Sequence, residues 1–250
     1  MNIILTLLFL FSVGAVSGWI VELLFRRFLS SSNPERKWIN PGFCIGPYLP
    51  IYGFGLCILY LIASLEKYSI IQNPYWNKAL LFAAMSACMT LIEYIGGIYC
   101  LKVSNVRLWD YSNEWGNIQG IICPKFSLIW ALVGAAYYFL IHPHILGALS
   151  WLSNNLAFSF VIGLFYGIFF VDLAHSTQLI RRVKQFAVEN EVIVKLDNLK
   201  MFIRRSNDKN KQKHSFMFPL HAEKPLSEYM KDMKETFEKK THKNDKKRQG

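Results

Sequence analysis

The amino-acid sequence predicts an all-α membrane protein with five spanning helices. Five uninterrupted apolar runs of about 20 residues each match the thickness of the hydrocarbon core of a bilayer. The composition agrees, because 52% hydrophobic and 15% aromatic residues at a mean hydropathy of +0.21 exceed what a soluble chain of 250 residues needs. The charge is uneven: residues 1–175 hold nine Lys+Arg and seven Asp+Glu, whereas residues 176–250 hold 19 and 10, net +9.

The basic residues predict how the five helices are threaded through the membrane. The first run is too long for a signal peptide and has no basic residue before it, so it is expected to remain as a helix. The first loop holds four basic residues, the second two, the third three and the fourth none. The N-terminus is therefore expected outside the cell membrane and the C-terminus in the cytoplasm. The predicted spans are 3–25, 45–65, 79–101, 121–141 and roughly 156–174.

Three of the runs carry a single carboxylate each, at Glu22, Glu93 and Asp172. An ionisable group inside a spanning helix is costly to insert and normally faces protein or water, so all three are candidate pathway residues. For Glu22 the alternative is that the side chain reaches the interface and pairs with Arg26 one turn on. For Asp172, near the end of the fifth run, the alternative is an interfacial anchor.

Helical spacing places small or hydroxyl-bearing residues on the same faces as two of these acids. On the first run a Gly-x-x-x-Gly pair precedes the carboxylate, which would let a second helix approach closely. On the third run a serine and a threonine precede the carboxylate, so hydroxyls are expected beside it. The first face comprises Gly14, Gly18 and Glu22, and the second comprises Ser86, Thr90, Glu93 and Gly97.

A possible internal duplication relates the first two runs to the next two. The same order of residue types, Glu, Trp, Asn, Gly, Cys and Pro, recurs in both halves, and two spans per copy would make a 2+2 parallel repeat with one helix added. Chance similarity is the alternative, because Glu22 and Asn40 are 18 residues apart whereas Glu93 and Asn117 are 24 apart. The first copy comprises Glu22, Trp38, Asn40, Gly42, Cys44 and Pro47, and the second Glu93, Trp115, Asn117, Gly120, Cys123 and Pro124.

Two further segments border the predicted spans. Residues 46–55 contain two prolines and three glycines, which favours an irregular stretch lining a pathway, with prolines that simply open the helix as the alternative. In the third loop, Asp110 and Arg107 are expected to order the chain against the first loop. Trp109 and Tyr111 would then lie at the headgroup level, or the whole loop is an aromatic belt with a polar turn.

The tail divides into two parts by composition. Residues 176–205 have apolar positions at helical spacing with basic residues between them, which predicts an amphipathic helix on the inner leaflet or against a partner helix. Residues 206–250 are Lys-rich and are expected to be largely disordered. Without aromatic interleaving, nucleic-acid binding is not expected. The five cysteines lack paired spacing, so they are interpreted as apolar fillers and not as metal ligands.

Several ordered strings in residues 10 to 175 resemble the putative ABC-transporter type IV (CmpB-like) permease family of bacterial membrane proteins. They include Gly18-Trp19 with Glu22, Asn40-Pro41-Gly42-Phe43, Pro50-Ile51-Tyr52-Gly53, Leu91-Ile92-Glu93-Tyr94, Trp109-Asp110-Tyr111-Ser112 and Asn117 to Cys123. The resemblance implies a transport role and a separate ATPase subunit, since this chain contains no G-x-x-x-x-G-K-[ST] loop. It brings no established catalytic residues.

Three functional classes remain open at this stage. The first is a permease-like component, with a homodimer or complex expected because five spans are few for a complete path. The second is an intramembrane enzyme acting on a lipid or lipid-linked substrate, and the third is a membrane-anchored scaffold or sensor. No catalytic, cofactor-binding or metal-binding residue is assigned. The pathway candidates are Glu22, Glu93, Asn40, Asn117, Asp110, Asp172, Ser86 and Thr90.

Overall fold

The computed structural model describes residues 2–30, 33–68, 71–189 and 193–209, together with 228, 230–232 and 234. Within these residues seven α-helices and two short strands follow one another along the chain. The helices are α1 (Ile3–Phe28), α2 (Pro50–Ser64), α3 (Pro74–Ser104), α4 (Pro124–Ala136), α5 (His142–Asn154), α6 (Ser159–Glu189) and α7 (Leu196–Lys209). The strands are β1 (Val106–Arg107) and β2 (Val194–Lys195).

Five helical segments of the described chain are long and apolar enough to cross a membrane, which confirms the predicted number. α4 and α5 form one of them, because a π-helical turn at Tyr137–Ile141 carries the helix across Pro143 without a break. α2 forms another together with the 3₁₀ turn that follows it. The five segments are Ile3–Phe28, Pro50–Tyr68, Pro74–Lys102, Pro124–Asn154 and Leu156–Glu189.

Several predicted boundaries differ from the observed ones. The second span begins at Pro50 and not at residue 45, because Pro50 occupies the first helical turn, where its missing N–H is tolerated. Residues 41–47 before it are irregular, and Leu49 donates its N–H to the carbonyl of Ala15 on α1. The fourth and fifth spans run further than 141 and 174, since no residue at those points stops the helix.

The glycines of α1 form a close contact with α2. Gly14 and Gly18 are both buried. A Cβ atom at Gly18 would lie 2.2 Å from the Cβ of Tyr52, and one at Gly14 would lie 2.7 Å from the Cβ of Leu56. Both separations are shorter than van der Waals contact, so the two helices approach this closely only with glycine at these positions.

The membrane part is built around apolar side chains from all of the first four spans. Leu10 of α1, Leu59 of α2 and Met85 of α3 lie in one buried cluster with Tyr137 of the fourth span. A second cluster joins α1 to α6 through Phe11 and Phe169, whose ring centroids are 5.6 Å apart. The fifth span thus packs on the outside of the first.

The tail does not form the single helix predicted over 176–205. α6 continues without interruption to Glu189, β2 then pairs in parallel with β1, and α7 follows. The apolar face of α7 packs on α6 and β1, since Leu199 and Ile203 are fully buried in one cluster with Val183 and Val106. The apolar face that the sequence pattern predicted is therefore covered by other parts of the protein. Of the predicted disordered segment 206–250, nearly all residues lie outside the described part of the chain.

The first loop, the third loop and the tail meet at one end of the helices. Lys200 of α7 contacts Asn40 in the first loop, and β2 pairs with β1 at the start of the third. This grouping is the one that the basic residues predicted for the cytoplasmic side. The orientation of the termini and the parallel repeat stay predictions.

Candidate functional site: a buried carboxylate network

Glu93 is a buried carboxylate held by two aromatic donors. Its residue is 6% exposed although it sits in the middle of α3. The phenol of Tyr111 donates to Oε1 at 2.8 Å, and the indole Nε1 of Trp130 donates to Oε2 at 3.0 Å. Among the described residues, no lysine, arginine or histidine forms an ion pair with it. The carboxylate thus has polar partners on both oxygens and no described counter-charge.

Glu22 is also held on both oxygens, but by a cation on one side. Arg26 Nε donates to Oε1 at 2.8 Å, one turn along α1. The phenol of Tyr52 on α2 donates to Oε2, also at 2.8 Å. The pairing with Arg26 that sequence reasoning held as an alternative is therefore present, and it coexists with a contact to the neighbouring helix.

The partners of the two acids touch each other. The rings of Tyr52 and Trp130 meet edge to face with centroids 6.3 Å apart. Glu22 and Glu93 are therefore joined through aromatic side chains of α2 and α4, and four spanning segments contribute to one polar cluster. We call this cluster the carboxylate network. Its members are Glu22, Arg26, Tyr52, Glu93, Tyr111 and Trp130.

Ser86 and Thr90 lie on the predicted face of α3, but their described hydrogen bonds go to α4 and not to Glu93. Ser86 donates its hydroxyl to the carbonyl of Ser127 at 2.8 Å, and Thr90 donates to the Ser127 hydroxyl at 3.1 Å. Their hydroxyls join α3 to α4, one to two turns from the acid. They share the helical face of Glu93, as the spacing predicted. Helix α4 packs on that face, and its residue Ser127 accepts both hydrogen bonds.

In the third loop, Tyr111 packs inward against the helices. The ring of Tyr111 stacks on Phe126 with centroids 4.2 Å apart while its hydroxyl reaches Glu93, so the aromatic-belt interpretation does not hold for this residue. Asp110 pairs with Arg107 of its own loop at 3.1 Å and with Lys195 of β2. Although burial raises the pKa of the Asp110 carboxyl, hydrogen bonds from Lys195 and Ser112 hold that pKa below its usual range. Asp110 therefore ties the third loop to the tail and not to the first loop as predicted.

Asn40 and Asn117 each shape the backbone of their own loop. Asn40, 1% exposed, accepts the N–H of Gly42 and donates to two carbonyls, and it also accepts from the indole of Trp19. Asn117 accepts the N–H of Gly120 and likewise donates to two carbonyls. Gly120 has φ +66°, which glycine tolerates and other residues rarely adopt. None of the described hydrogen bonds of either asparagine reaches Glu22 or Glu93.

Asp172 holds the irregular segment before α2. Its carboxylate accepts the backbone N–H groups of Ile45 at 3.1 Å and Gly46 at 2.7 Å. It also accepts the hydroxyls of Tyr48 and of Ser176. The residue thus does more than mark a helix end, since it fixes the chain that leads into the second span. Next to it, a groove of about 940 Å³ runs along α6.

Sequence reasoning missed several residues that complete this end of the molecule. Tyr52 and Trp130 carried no signal of their own, because aromatic residues are common in spanning helices. Lys200 did carry one: it follows Leu196 and Leu199 and precedes Ile203 at the spacing of their apolar face. A lysine on such a face predicts a buried ammonium with specific partners.

Lys200 is 1% exposed, and its ammonium donates to three consecutive carbonyls of the first loop. The Nζ atom lies 3.1 Å from the carbonyl oxygen of Asn40 and 3.3 Å from that of Pro41, and it also donates to that of Gly42. Burial lowers the pKa of this ammonium to about 7. The three carbonyls oppose that effect, since they interact favourably with the charged form.

The described residues offer no group of three or more His, Cys, Asp or Glu placed to hold a metal ion. A buried carboxylate such as that of Glu93 can hold a proton or pair with a cation.

Five helices of the described chain are long and apolar enough to cross a membrane, which is typical of a polytopic membrane protein. Residues 9–177 match the family described as Putative ABC-transporter type IV, and the chain belongs to that family. The match covers all five spans up to the middle of α6 and excludes α7. No curated protein and no solved structure matches the chain.

Proposed function

We propose that this protein is the permease-like component of a transport system in the cell membrane, in which Glu93 binds the transported cation or a coupled proton. Glu22 is its partner across the carboxylate network. The proposal rests on one observation above others: Glu93 is 6% exposed, hydrogen-bonded on both oxygens, and without an ion pair in the described part of the chain.

A buried carboxylate in this setting has two ways to avoid the cost of an uncompensated charge. It can hold a proton, or it can hold a cation that arrives from outside the protein. Tyr111 and Trp130 are neutral donors, which orient the carboxylate without cancelling its charge. Both alternatives lead to reversible binding at this position, which is what a transport site requires.

The difference between the two acids supports this assignment. Glu22 already has a fixed cation in Arg26, at 2.8 Å, whereas Glu93 has only aromatic donors. A cation that enters the network therefore gains most at Glu93. Since Tyr52 contacts Glu22 through its hydroxyl and Trp130 through its ring, a change of charge at one acid is felt at the other.

The proposal includes partners that the chain does not contain. An ABC system requires an ATPase, and this sequence has no phosphate-binding loop, so a separate ATPase subunit is part of the proposal. A homodimer is the further expectation, because five spans are few for a complete path. Residues 1–175 would form the transport domain, with the N-terminus outside and the tail in the cytoplasm.

The two asparagine turns support the proposed parallel repeat. In both loops an asparagine accepts a glycine N–H and donates to two nearby carbonyls. Such a duplicated unit of two spans would place Glu22 and Glu93 in corresponding positions on either side of the network.

Glu93→Gln is the variant that tests the function. It keeps the size of the side chain but removes its charge and one of its two acceptor oxygens. We expect flux through the protein to fall by about tenfold or more, since a cation gains on the order of 1.5–3 kcal/mol from a charged hydrogen-bonding partner. The measurement is ion and proton flux in reconstituted vesicles, with pH-sensitive and cation-sensitive dyes inside and a panel of cations and cationic amines outside.

Glu114→Gln is the matched control. Glu114 lies in the third loop, pairs with Lys125 at 2.9 Å, and is not part of the carboxylate network. It should leave flux unchanged. Equal flux in wild-type and Glu93→Gln protein, with both correctly folded, would contradict the assignment.

A further inference from the structure

The tail covers the loop end of the carboxylate network and contacts both of its loops. β2 pairs with β1 in register Val106 to Val194, which fixes it to the third loop. α7 then crosses to the first loop, where Lys200 meets three carbonyls. We call residues 194–209 the α7 cap. The cap lies outside the matched family region of residues 9–177, so it is a feature of this chain to be explained separately.

The first strong attachment of the cap is Lys200. Its ammonium is buried and donates to the carbonyls of Asn40, Pro41 and Gly42, the loop that leads from α1 into α2. Hydrogen bonds to a charged donor are stronger than neutral ones, and the carbonyls would be left without this donor if the lysine were removed. The docked state nevertheless bears the cost of dehydrating an ammonium, which lowers the pKa of Lys200 to about 7. The attachment is therefore specific, but the cost of dehydrating the Lys200 ammonium opposes it.

The second attachment joins the cap to the network itself. Arg26 donates through Nε to Glu22 and through a terminal nitrogen to Asp197, the second residue of α7. The three side chains have exposures of only 20 to 22%. One guanidinium is thus shared between an acid of the membrane domain and an acid of the cap.

Two other ion pairs of the cap are weaker. Lys195 pairs with Asp110 and Arg205 pairs with Glu35, but the two basic side chains are 52% and 49% exposed. Exposed pairs contribute little and are screened by salt. Besides its apolar face and the β1–β2 pairing, the strongest polar attachments described for the cap are therefore Lys200 and the Arg26–Asp197 pair.

We propose that the α7 cap is a lid that closes the loop end of the carboxylate network, with Lys200 and the Arg26–Asp197 pair as its two latches. The proposal rests on the function proposed above, because the lid regulates access to that same site. Since Arg26 is shared, neutralising Glu22 strengthens its pairing with Asp197 and favours the closed lid. By linkage, opening the lid breaks the pairing of Arg26 with Asp197 and leaves Arg26 paired with Glu22 alone.

A cysteine at position 199 reports whether the lid is open. Leu199 is fully buried between the cap and α6, in one cluster with Val183 and Val106. Cys44 is less suitable, because it is buried in a different cluster with Phe11 and Phe169 of α1 and α6. Displacement of the cap would expose the thiol of Leu199→Cys without any need to know the transported substrate.

The experiment measures the labelling rate of the Leu199→Cys thiol by a membrane-impermeant maleimide in the full-length protein, with the five native cysteines replaced by alanine. The protein is reconstituted in vesicles with the tail outward. The variants Lys200→Met and Asp197→Asn each remove one latch, and each should label about tenfold faster than the parent. Lys184→Met is the control, because Lys184 is an exposed residue of α6 in the same region. It should label at the parent rate.

Three other outcomes would contradict the proposal that the α7 cap is a lid. The proposal fails if both latch variants label at the parent rate, if the parent already labels as fast as unfolded protein, or if Lys184→Met accelerates labelling equally. Should Lys200→Met not elute as a folded species in gel filtration, Asp197→Asn decides alone. Because the readout is thiol access and not flux, a negative result with Glu93→Gln leaves the lid intact, and a negative labelling result leaves the transport site intact.

Discussion

Gly18→Leu is expected to remove the folded protein from the membrane almost completely. The added Cβ would lie 2.2 Å from the Cβ and 2.3 Å from the Cγ of Tyr52, so α1 and α2 must separate. We expect a loss of stability of about 3 kcal/mol or more, since the Cβ of Tyr52 is fixed by its backbone and cannot move away when the tyrosine side chain rotates. The separation would also break the Tyr52–Glu22 hydrogen bond of 2.8 Å. Detergent extraction followed by gel filtration and thermal unfolding measures both the yield and the remaining stability.

Gly147→Leu is the matched control for this change. A Cβ at Gly147, on α5, meets no atom within 4 Å in the described structure. The same substitution there adds an apolar side chain to an exposed face and should leave yield and unfolding temperature near the wild-type values. If Gly18→Leu protein were as stable as Gly147→Leu protein, the close contact between α1 and α2 would be wrong.

Asp172→Ala has the second large expected effect, because it leaves four donors without their acceptor. The N–H groups of Ile45 and Gly46 and the hydroxyls of Tyr48 and Ser176 all point at this carboxylate. Hydrogen bonds to charged groups contribute about 1.5–3 kcal/mol each, and neighbouring ones are not additive. We expect a total loss of about 3 kcal/mol and a fall in the unfolding temperature on the order of 10 °C.

Thr177→Ala is the matched control for Asp172→Ala. Thr177 lies on the same helix and donates only to the carbonyl of Leu173, one turn back, at an exposed position. Its removal should shift the unfolding temperature by no more than a degree or two, on the order of the usual surface effect. Equal unfolding temperatures for the two variants would show that Asp172 is an interfacial anchor after all, as its position near the end of the apolar run had allowed.

The candidate site was accessible to sequence reasoning only in part. The acids could be found because a carboxylate inside an apolar run is rare and costly, and this holds whatever surrounds it. Their partners could not, because Tyr52, Trp130 and Tyr111 belong to segments distant from Glu22 and Glu93 along the chain. Helical spacing placed Ser86 and Thr90 on the correct face, but it did not show that α4 packs there and that Ser127 accepts hydrogen bonds from both hydroxyls.

By itself, the sequence determined the membrane class and the number of spans. These follow from the length of apolar runs against the thickness of a bilayer, a comparison that needs no neighbours. Only the tertiary structure decided that α7 docks on the loops through Lys200, that Arg26 is shared between Glu22 and Asp197, and where each helix stops. The reason is that amphipathic and charged segments are stable in several settings, and their contacts with residues far along the chain select one of them.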